Sequence, residues 1–138
     1  MFRRRFVLGL ALLVGAIAVS AIAAVNDRRV VGDCTKSQVR PTTIILACAD
    51  DNLSLTHLRW KNFGAGTAHA SGLYHVNDCT PNCAAGRFHS YPVLIVLSDA
   101  KLCEDRHDDY RFAAWAFTAA RPPGHSQTGA QLGCPLPG

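Results

Sequence analysis

The chain lacks three features that point to common functional classes: a cluster of like charges, an internal repeat, and an amphipathic helical pattern after its first 24 residues. It has 14 Lys and Arg against 10 Asp and Glu. Three of the basic residues are Arg3, Arg4 and Arg5, so the remainder carries 11 (14 − 3) basic and 10 acidic residues. These charges are interspersed and form no basic stripe that could follow a phosphate backbone. The composition therefore argues against a nucleic-acid partner.

The N-terminal segment has the composition of an export signal. A cationic start, Met1 to Arg5, precedes an uncharged run that ends in the small-x-small pattern Ala21-Ile22-Ala23. We therefore predict a helical signal peptide over residues 1–23 and a secreted mature chain. The uncharged run is also close to the roughly 17–25 residues that span a bilayer. Membrane anchoring through an uncleaved segment is thus the alternative localisation, and the only membrane contact that we expect.

Six cysteines follow the predicted signal, and they indicate disulfides: Cys34, Cys48, Cys79, Cys83, Cys103 and Cys134. In a small exported domain each native bridge typically contributes about 2–5 kcal/mol to stability. The alternative for Cys79 and Cys83 is a zinc site with His75 or His89, which requires reduced thiolates. An oxidising compartment disfavours those thiolates, so we predict disulfides at all six positions and no metal or other cofactor.

Alternating hydrophobicity predicts β-strands in the mature chain. The clearest pattern covers residues 67–76, where Ala68, Ala70, Gly72, Tyr74 and Val76 share one face. Four more strands are predicted over 42–49, 53–63, 88–97 and 110–120. A slip in the apolar phase of the second strand predicts a bulge near His57. Pro92 lacks a backbone donor and should therefore lie at an edge or bulge.

These strands predict an all-β fold, a small antiparallel β-sandwich or barrel of about five strands that is stabilised by disulfides and follows the signal helix. We expect an extended lead-in over residues 24–40 and a single β domain over 41–120. The Pro- and Gly-rich segment 121–138 should form a tail with little regular structure.

An up-and-down order of the five strands predicts which cysteines meet. It places Cys34 and Cys103 at one end of the sheet, within bridging reach of each other. The other four cysteines would form two bridges at the opposite end, with Cys48 bonded to Cys79 or Cys83. A direct Cys79–Cys83 bridge is disfavoured in this scheme because it would close a very small loop around Pro81.

Two sequence patterns resemble functional motifs but lack part of what the chemistry requires. Residues 124–129 resemble the Gly-x-Ser-x-Gly nucleophile elbow, yet one extra residue precedes the second glycine and no strand or helix is predicted beside it. Residues 50–52 and 105–109 contain oxygen ligands of the kind that calcium prefers, without the spacing of a recognised calcium loop. We therefore expect loops and turns at these positions, and the sequence identifies no catalytic residue.

Two functional hypotheses remain. The first is a non-catalytic binding or envelope-associated module whose partner is an envelope component or another protein. Its candidate binding surface comprises His75, Asn82, His89 and Tyr91. The alternative is a small extracellular hydrolase or metal-dependent enzyme that uses His and Asp side chains from residues 50–57, 75–89 and 104–109. The enzyme hypothesis requires that two or more of His57, His75, His89 and the Asp50/Asp51 pair converge in one concave pocket.

The central part of the chain resembles a group of short exported actinobacterial proteins. The resemblance is carried by Arg40-Pro41, by Ala47-Cys-Ala-Asp50 with Asn52, by Leu58-Arg-Trp60, and above all by Asn77-Asp-Cys-Thr-Pro-Asn-Cys-Ala-Ala-Gly-Arg-Phe-His-Ser-Tyr-Pro92. It covers about half of the mature chain. It implies export but no activity, because the group has no established function. Unlike some of its members, this chain lacks a lipidation cysteine.

Overall fold

The computed structural model describes residues 28–64 and 66–136. The predicted signal peptide, residues 1–23, lies outside the described residues. Within them the chain forms eight β-strands: β1 Val30–Val31, β2 Ser37–Gln38, β3 Ile44–Ile45, β4 Leu53–Asn62, β5 Ala68–Asn77, β6 Phe88–Leu102, β7 Asp108–Phe117 and β8 Gly129–Gln131. This part of the chain contains no helix that could cross a membrane.

Six of the strands form one antiparallel sheet in sequence order, β3-β4-β5-β6-β7-β8, and β1 pairs with β2 as a separate hairpin. The sheet curls into a half-barrel. The predicted all-β class is confirmed, and β3 to β7 correspond to the five predicted strands. Such consecutive pairing is the expected result of short connections between adjacent strands.

The concave face of the sheet carries the core. Tyr74 and Val76 of β5 are buried there, as are Ile95 and Leu97 of β6 and Trp115 of β7. Residues directly opposite each other on neighbouring strands share a face. The period of two predicted for residues 67–76 therefore describes the inner face of β5 correctly.

The predicted bulge in β4 is confirmed. The pairing of β4 with β5 shifts between Thr56 and Arg59, and His57 adopts a positive φ of 54°. The bulge places Leu58 over Gly72, so that a Cβ on Gly72 would lie 2.8 Å from Leu58 Cδ2. Glycine at this position is therefore required by the close approach of the neighbouring strand.

Pro92 occupies the predicted edge position. The pairing of β6 with β7 begins at Val93–Phe117, so residues Phe88 to Pro92 have only β5 beside them within the sheet. Beyond that point the Thr118 amide donates to the Pro92 carbonyl at 3.0 Å. Because β7 does not pair with β6 at Pro92, the missing amide donor of Pro92 removes no hydrogen bond from the β6–β7 ladder.

The sequence predicts an extended lead-in, but the described part of this segment forms a hairpin that links the two sides of the curled sheet. The amide of Arg29 donates to Asp108, and its carbonyl accepts from Tyr110, both at 3.0 Å. Two residues beyond β1's start, the Gly32 carbonyl accepts the Ile45 amide at 2.8 Å. β1 therefore bonds to the start of β7 on one side, while the hairpin bonds to β3 on the other.

All six cysteines form disulfides, as predicted, but the predicted pairing is wrong. The bridges are Cys34–Cys48, Cys79–Cys83 and Cys103–Cys134. Neither Cys34–Cys103 nor a bridge from Cys48 to Cys79 or Cys83 is formed. The meander itself is correct, so the error lies in sorting the cysteines by strand ends.

Two elements outside the five predicted strands explain the error. β8 lies in the segment for which we predicted little regular structure, and it pairs with β7 over Phe112–Gln131 to Ala114–Gly129. It therefore returns the chain toward Cys103 instead of leaving Cys134 at the far end. The β1–β2 hairpin brings Cys34 beside β3, where its sulfur lies 4.0 Å from the Ile45 carbonyl oxygen.

Candidate functional site

The loop between β5 and β6 is organised around the buried side chain of Asn77. Its Nδ2 donates to Asn52 Oδ1 at 2.9 Å and to the Cys83 carbonyl at 2.8 Å, and its Oδ1 accepts the Cys79 amide at 3.0 Å. Gly86 packs directly against this amide. Together with the Cys79–Cys83 bridge, these bonds hold a short loop that has no regular structure of its own.

Asp78, at the start of this loop, accepts three hydrogen bonds. Its Oδ1 accepts the amides of Thr80 at 3.1 Å and Arg87 at 2.9 Å, and its Oδ2 bonds to His89 Nε2 at 3.0 Å. The Arg87 amide, followed by the His89 side chain and the Thr80 amide, lowers the pKa of Asp78 from 3.8 to about 2.

This carboxylate determines the orientation and the tautomer of His89. Since ionised Asp78 can only accept, Nε2 of His89 must carry the proton that joins them. The neutral ring then has its lone pair on Nδ1, and no residue in the described part of the chain bonds to that atom. His89 is therefore held by one nitrogen and presents the other as an acceptor.

His89 lines a cleft of about 330 Å³ at the end of the sheet, which we call the His89 cleft. Its polar lining is Asp78, Thr80, His89 and His125, and its less polar lining is Val76, Tyr91, Pro122 and Pro123. The His89 cleft thus combines two imidazoles with an aromatic and proline surface.

His125 reaches the cleft from the segment between β7 and β8. Its Nδ1 lies 3.4 Å from the hydroxyl of Tyr74, a fully buried residue whose pKa is raised by burial. Tyr74 therefore keeps its proton, and its hydroxyl can donate to Nδ1 or accept from it, depending on the tautomer of His125. The His89 cleft accordingly offers an acceptor at His89 Nδ1 and a second ring nitrogen at His125 Nε2, whose role follows the tautomer of that ring.

The four residues of the predicted binding surface do not lie together. His89 and Tyr91 pair with Val76 and Tyr74 and share their concave face. His75 pairs with Ser90 on the opposite face, where its Nδ1 lies 2.9 Å from Ser90 Oγ.

The fourth residue, Asn82, is an exposed part of the disulfide loop, where its Oδ1 accepts the Ala85 amide at 3.0 Å. The structure therefore brings together only the His89 and Tyr91 half of the prediction.

Sequence reasoning included Asp78 only among the acidic residues of the enzyme hypothesis, and it missed Pro122, Pro123 and His125. The Asp78-Cys-Thr80 pattern is typical of a side chain that accepts an amide two residues later, and it could have identified the turn. Pro122, Pro123 and His125 belong to the predicted tail. His125 contacts Tyr74, 51 residues earlier in the chain, and the local sequence carries no pattern for such a long-range contact.

The convergence required by the enzyme hypothesis is not observed. His57, His75 and His89 bond to Thr56, Ser90 and Asp78 respectively, at separate positions. Asp50 accepts the Asn52 amide within its own turn.

Nor does the His89 cleft contain an activated hydroxyl nucleophile among the described residues. The Thr80 hydroxyl donates to the Asp78 carbonyl instead of to an imidazole. Ser126 of the elbow-like motif is exposed in a loop, as predicted. Cys79 and Cys83 are bonded to each other and cannot act as zinc ligands.

Comparison with known proteins identifies no relative: no family model, no curated protein and no solved structure matches the chain. Function is therefore inferred from the geometry of the described residues.

Proposed function

We propose that this chain is an exported, non-catalytic β domain that binds an envelope component or another protein through the His89 cleft. The observation that carries the proposal is the state of His89. Its ring is fixed by Asp78 Oδ2 at 3.0 Å, yet its second nitrogen serves no structural bond among the described residues. A polar side chain that is positioned but not used within the fold is typical of a binding site.

The size and lining of the cleft limit the ligand group that it accepts. A volume of about 330 Å³ is at the lower end of the range for ligand pockets. It suits one sugar ring or one side chain with an apolar body and polar ends. Tyr91 and the two prolines would contact the body, while His89 Nδ1 and His125 Nε2 would bond to the polar groups.

Binding is tested by NMR titration of the ¹⁵N-labelled secreted protein with solubilised cell-wall fragments and with fractionated culture-filtrate proteins. We expect chemical-shift changes at Tyr91 and at the imidazole nitrogens of His89 and His125. The matched variants are His89→Ala and His75→Ala, which remove the same side chain from opposite faces of neighbouring strands. Binding should be lost in the first and kept in the second. The reverse pattern, or no binding to any fraction, would contradict the proposal.

The same proposal includes export, for which the three disulfides are consistent with an oxidising environment. We expect the secreted protein to begin at Ala24 or Val25, which its intact mass would show. A product that stays in the membrane and retains residues 1–23 would exclude cleavage of the signal.

A further inference from the structure

A second cleft, of about 620 Å³, lies at the opposite end of β6 from the His89 cleft. It is formed where the β1–β2 hairpin meets the turn between β6 and β7, and its lining includes Ser37, Glu104 and Asp105. We call it the Asp105 cleft. Two separate segments contribute to it, because Ser37 belongs to the lead-in and Asp105 to the turn.

Asp109, at the start of β7, has its carboxylate close to that of Asp105, which lines this cleft. Its side chain is completely buried (0% exposed), and neither of its carboxylate oxygens has a hydrogen-bond partner among the described residues. The sequence predicts a loop or turn here, in which a charged side chain would be exposed. A buried carboxylate without donors is strongly unfavourable unless it is neutralised by a proton or by a positive charge.

The unpartnered carboxylate of Asp109 lies beside that of Asp105. One oxygen of each lies within 4.8 Å of the other, in a group that also includes Cys103 Sγ. The sulfur is bonded to Cys134 and is therefore not a thiolate ligand. Asp105 in turn accepts the Ser37 hydroxyl at 3.2 Å and the His107 amide at 3.1 Å. The atoms available to a ligand are therefore oxygens.

We propose that the Asp105 cleft binds one divalent cation of the calcium type between the carboxylates of Asp105 and Asp109, with the Ser37 hydroxyl beside it. Oxygen ligands favour a hard cation over zinc. Calcium also tolerates an irregular set of oxygen ligands, whereas Mg²⁺ demands near-ideal octahedral geometry and dehydrates reluctantly. Water would complete the shell from the open side of the cleft.

The cation compensates two negative charges that the fold places side by side, one of them buried. Arg29 and Lys36 also line the cleft and Glu104 adds a further negative charge. The three carboxylates and two basic side chains leave a net charge of −1 that a divalent ion reverses. Because Ser37 and Asp109 belong to different segments, the bound ion would also fasten the lead-in to the β6–β7 turn.

Thermal unfolding of the secreted protein in CaCl₂ and in EDTA tests this site. Extracellular calcium modules bind with dissociation constants of about 10⁻⁴–10⁻³ M, so 10 mM Ca²⁺ should raise Tm by roughly 5 °C. An equal concentration of Mg²⁺ should raise it less. Calorimetric titration with Ca²⁺ should give one site per chain.

Three variants assign the effect to the proposed ligands. Asp105→Asn changes an exposed side chain and should abolish the Tm rise while circular dichroism stays unchanged. Asp109→Asn should also abolish it, and in EDTA should melt above the unsubstituted protein because a buried charge is removed. The control, Asp99→Asn, alters an exposed carboxylate that pairs with Lys101 at 3.1 Å and should keep the full rise. No calcium effect in the unsubstituted protein, or an equal effect in Asp105→Asn, would overturn the proposal.

Discussion

Two aspartates at opposite ends of β6 have contrary environments. Asp78 is partly exposed and accepts two backbone amides and an imidazole. Asp109 is completely buried and accepts no hydrogen bond from the described residues. Backbone donors in a tight turn stabilise the first carboxylate without burial, whereas burial without donors destabilises the second.

The comparison extends to pKa values. The pKa of Asp78 is lowered to about 2, chiefly by the Arg87 amide. Burial and, second to it, the negative charge of Asp105 raise the pKa of Asp109 to about 6, although His107, the nearby Ser37 hydroxyl and Arg29 oppose the increase. The same side chain therefore stabilises one end of the molecule when ionised and destabilises the other. This contrast shows that both the donors around a carboxylate and its burial decide whether its ionised form stabilises the fold.

The largest expected difference between the two ends concerns their disulfides. Cys103–Cys134 spans 31 residues, whereas Cys79–Cys83 spans 4. Loop-closure entropy then predicts a loss of about 4 kcal/mol when both members of the first pair are replaced by alanine, and about 2 kcal/mol for the second. Urea unfolding of the two double variants would measure both losses. A larger loss at the Cys79–Cys83 end would show that native contacts of the loop outweigh chain entropy.

A smaller effect is expected from adding a side chain at Gly86. This residue lies in the loop whose backbone amides donate to Asp78. A Cβ there would collide with Asn77 Oδ1 and approach the Cys79 amide nitrogen to 2.8 Å. Gly86→Ala should therefore destabilise the protein by about 2–3 kcal/mol, because neither neighbour is the end of a flexible chain. Gly133→Ala is the control, since a Cβ at Gly133 meets nothing within 4 Å. Equal stabilities of the two variants in urea would indicate that the loop adapts freely.

Asp109→Asn should change stability in the opposite direction. A carboxyl whose folded pKa is raised from 3.8 to about 6 contributes stability below pH 3.8 that is lost as the pH rises through 6. In EDTA, the variant should thus gain roughly 1–2 kcal/mol over the unsubstituted protein above pH 6, and less at pH 4. Urea midpoints at several pH values would show this. A variant that is less stable at every pH would mean that Asp109 has a compensating partner in solution.

Much of the sheet could be predicted from local patterns. Alternation identified β5 and its inner face, and the phase slip at His57 located a bulge, because both depend on neighbours a few residues away. β8 and the cysteine pairing could not be predicted in this way. They depend on the curl of the sheet, which brings the lead-in to the start of β7 and to Ile45 at once.

The candidate sites show the same limit. His89 and Tyr91, two residues apart on β6, lie on one face of the sheet, whereas His75 of the predicted binding surface does not. The register of β5 with β6 places it across from Ser90 instead. The charged run around Asp109 predicted a solvated turn, yet backbone bonds from Arg29 to Asp108 and Tyr110 bury its side chain. A run of charged residues predicts exposure to solvent. The burial of Asp109 depends instead on Arg29, which lies 80 residues earlier in the chain.

The smallest expected effect on stability is that of Asp78→Asn. This variant removes the carboxylate that is stabilised by donors, as Asp109→Asn removes the buried one. A carboxyl whose folded pKa is lowered from 3.8 to about 2 contributes stability above pH 3.8 that is lost as the pH falls toward 2. The variant should lack this acid-side loss and melt slightly lower at neutral pH. Melting curves between pH 2 and pH 7 would measure both changes.

A spectroscopic readout separates this effect from a general weakening of the loop. An asparagine amide facing His89 could donate to Nε2, so the neutral ring would then carry its proton on Nδ1. Ring ¹⁵N shifts should therefore report the Nε2–H tautomer in the unsubstituted protein and a larger share of Nδ1–H in Asp78→Asn. Asp99→Asn, whose carboxylate pairs with Lys101, should leave the shifts unchanged. An Nδ1–H tautomer in the unsubstituted protein would mean that Asp78 does not orient His89, and the acceptor assigned to the cleft would be lost with it.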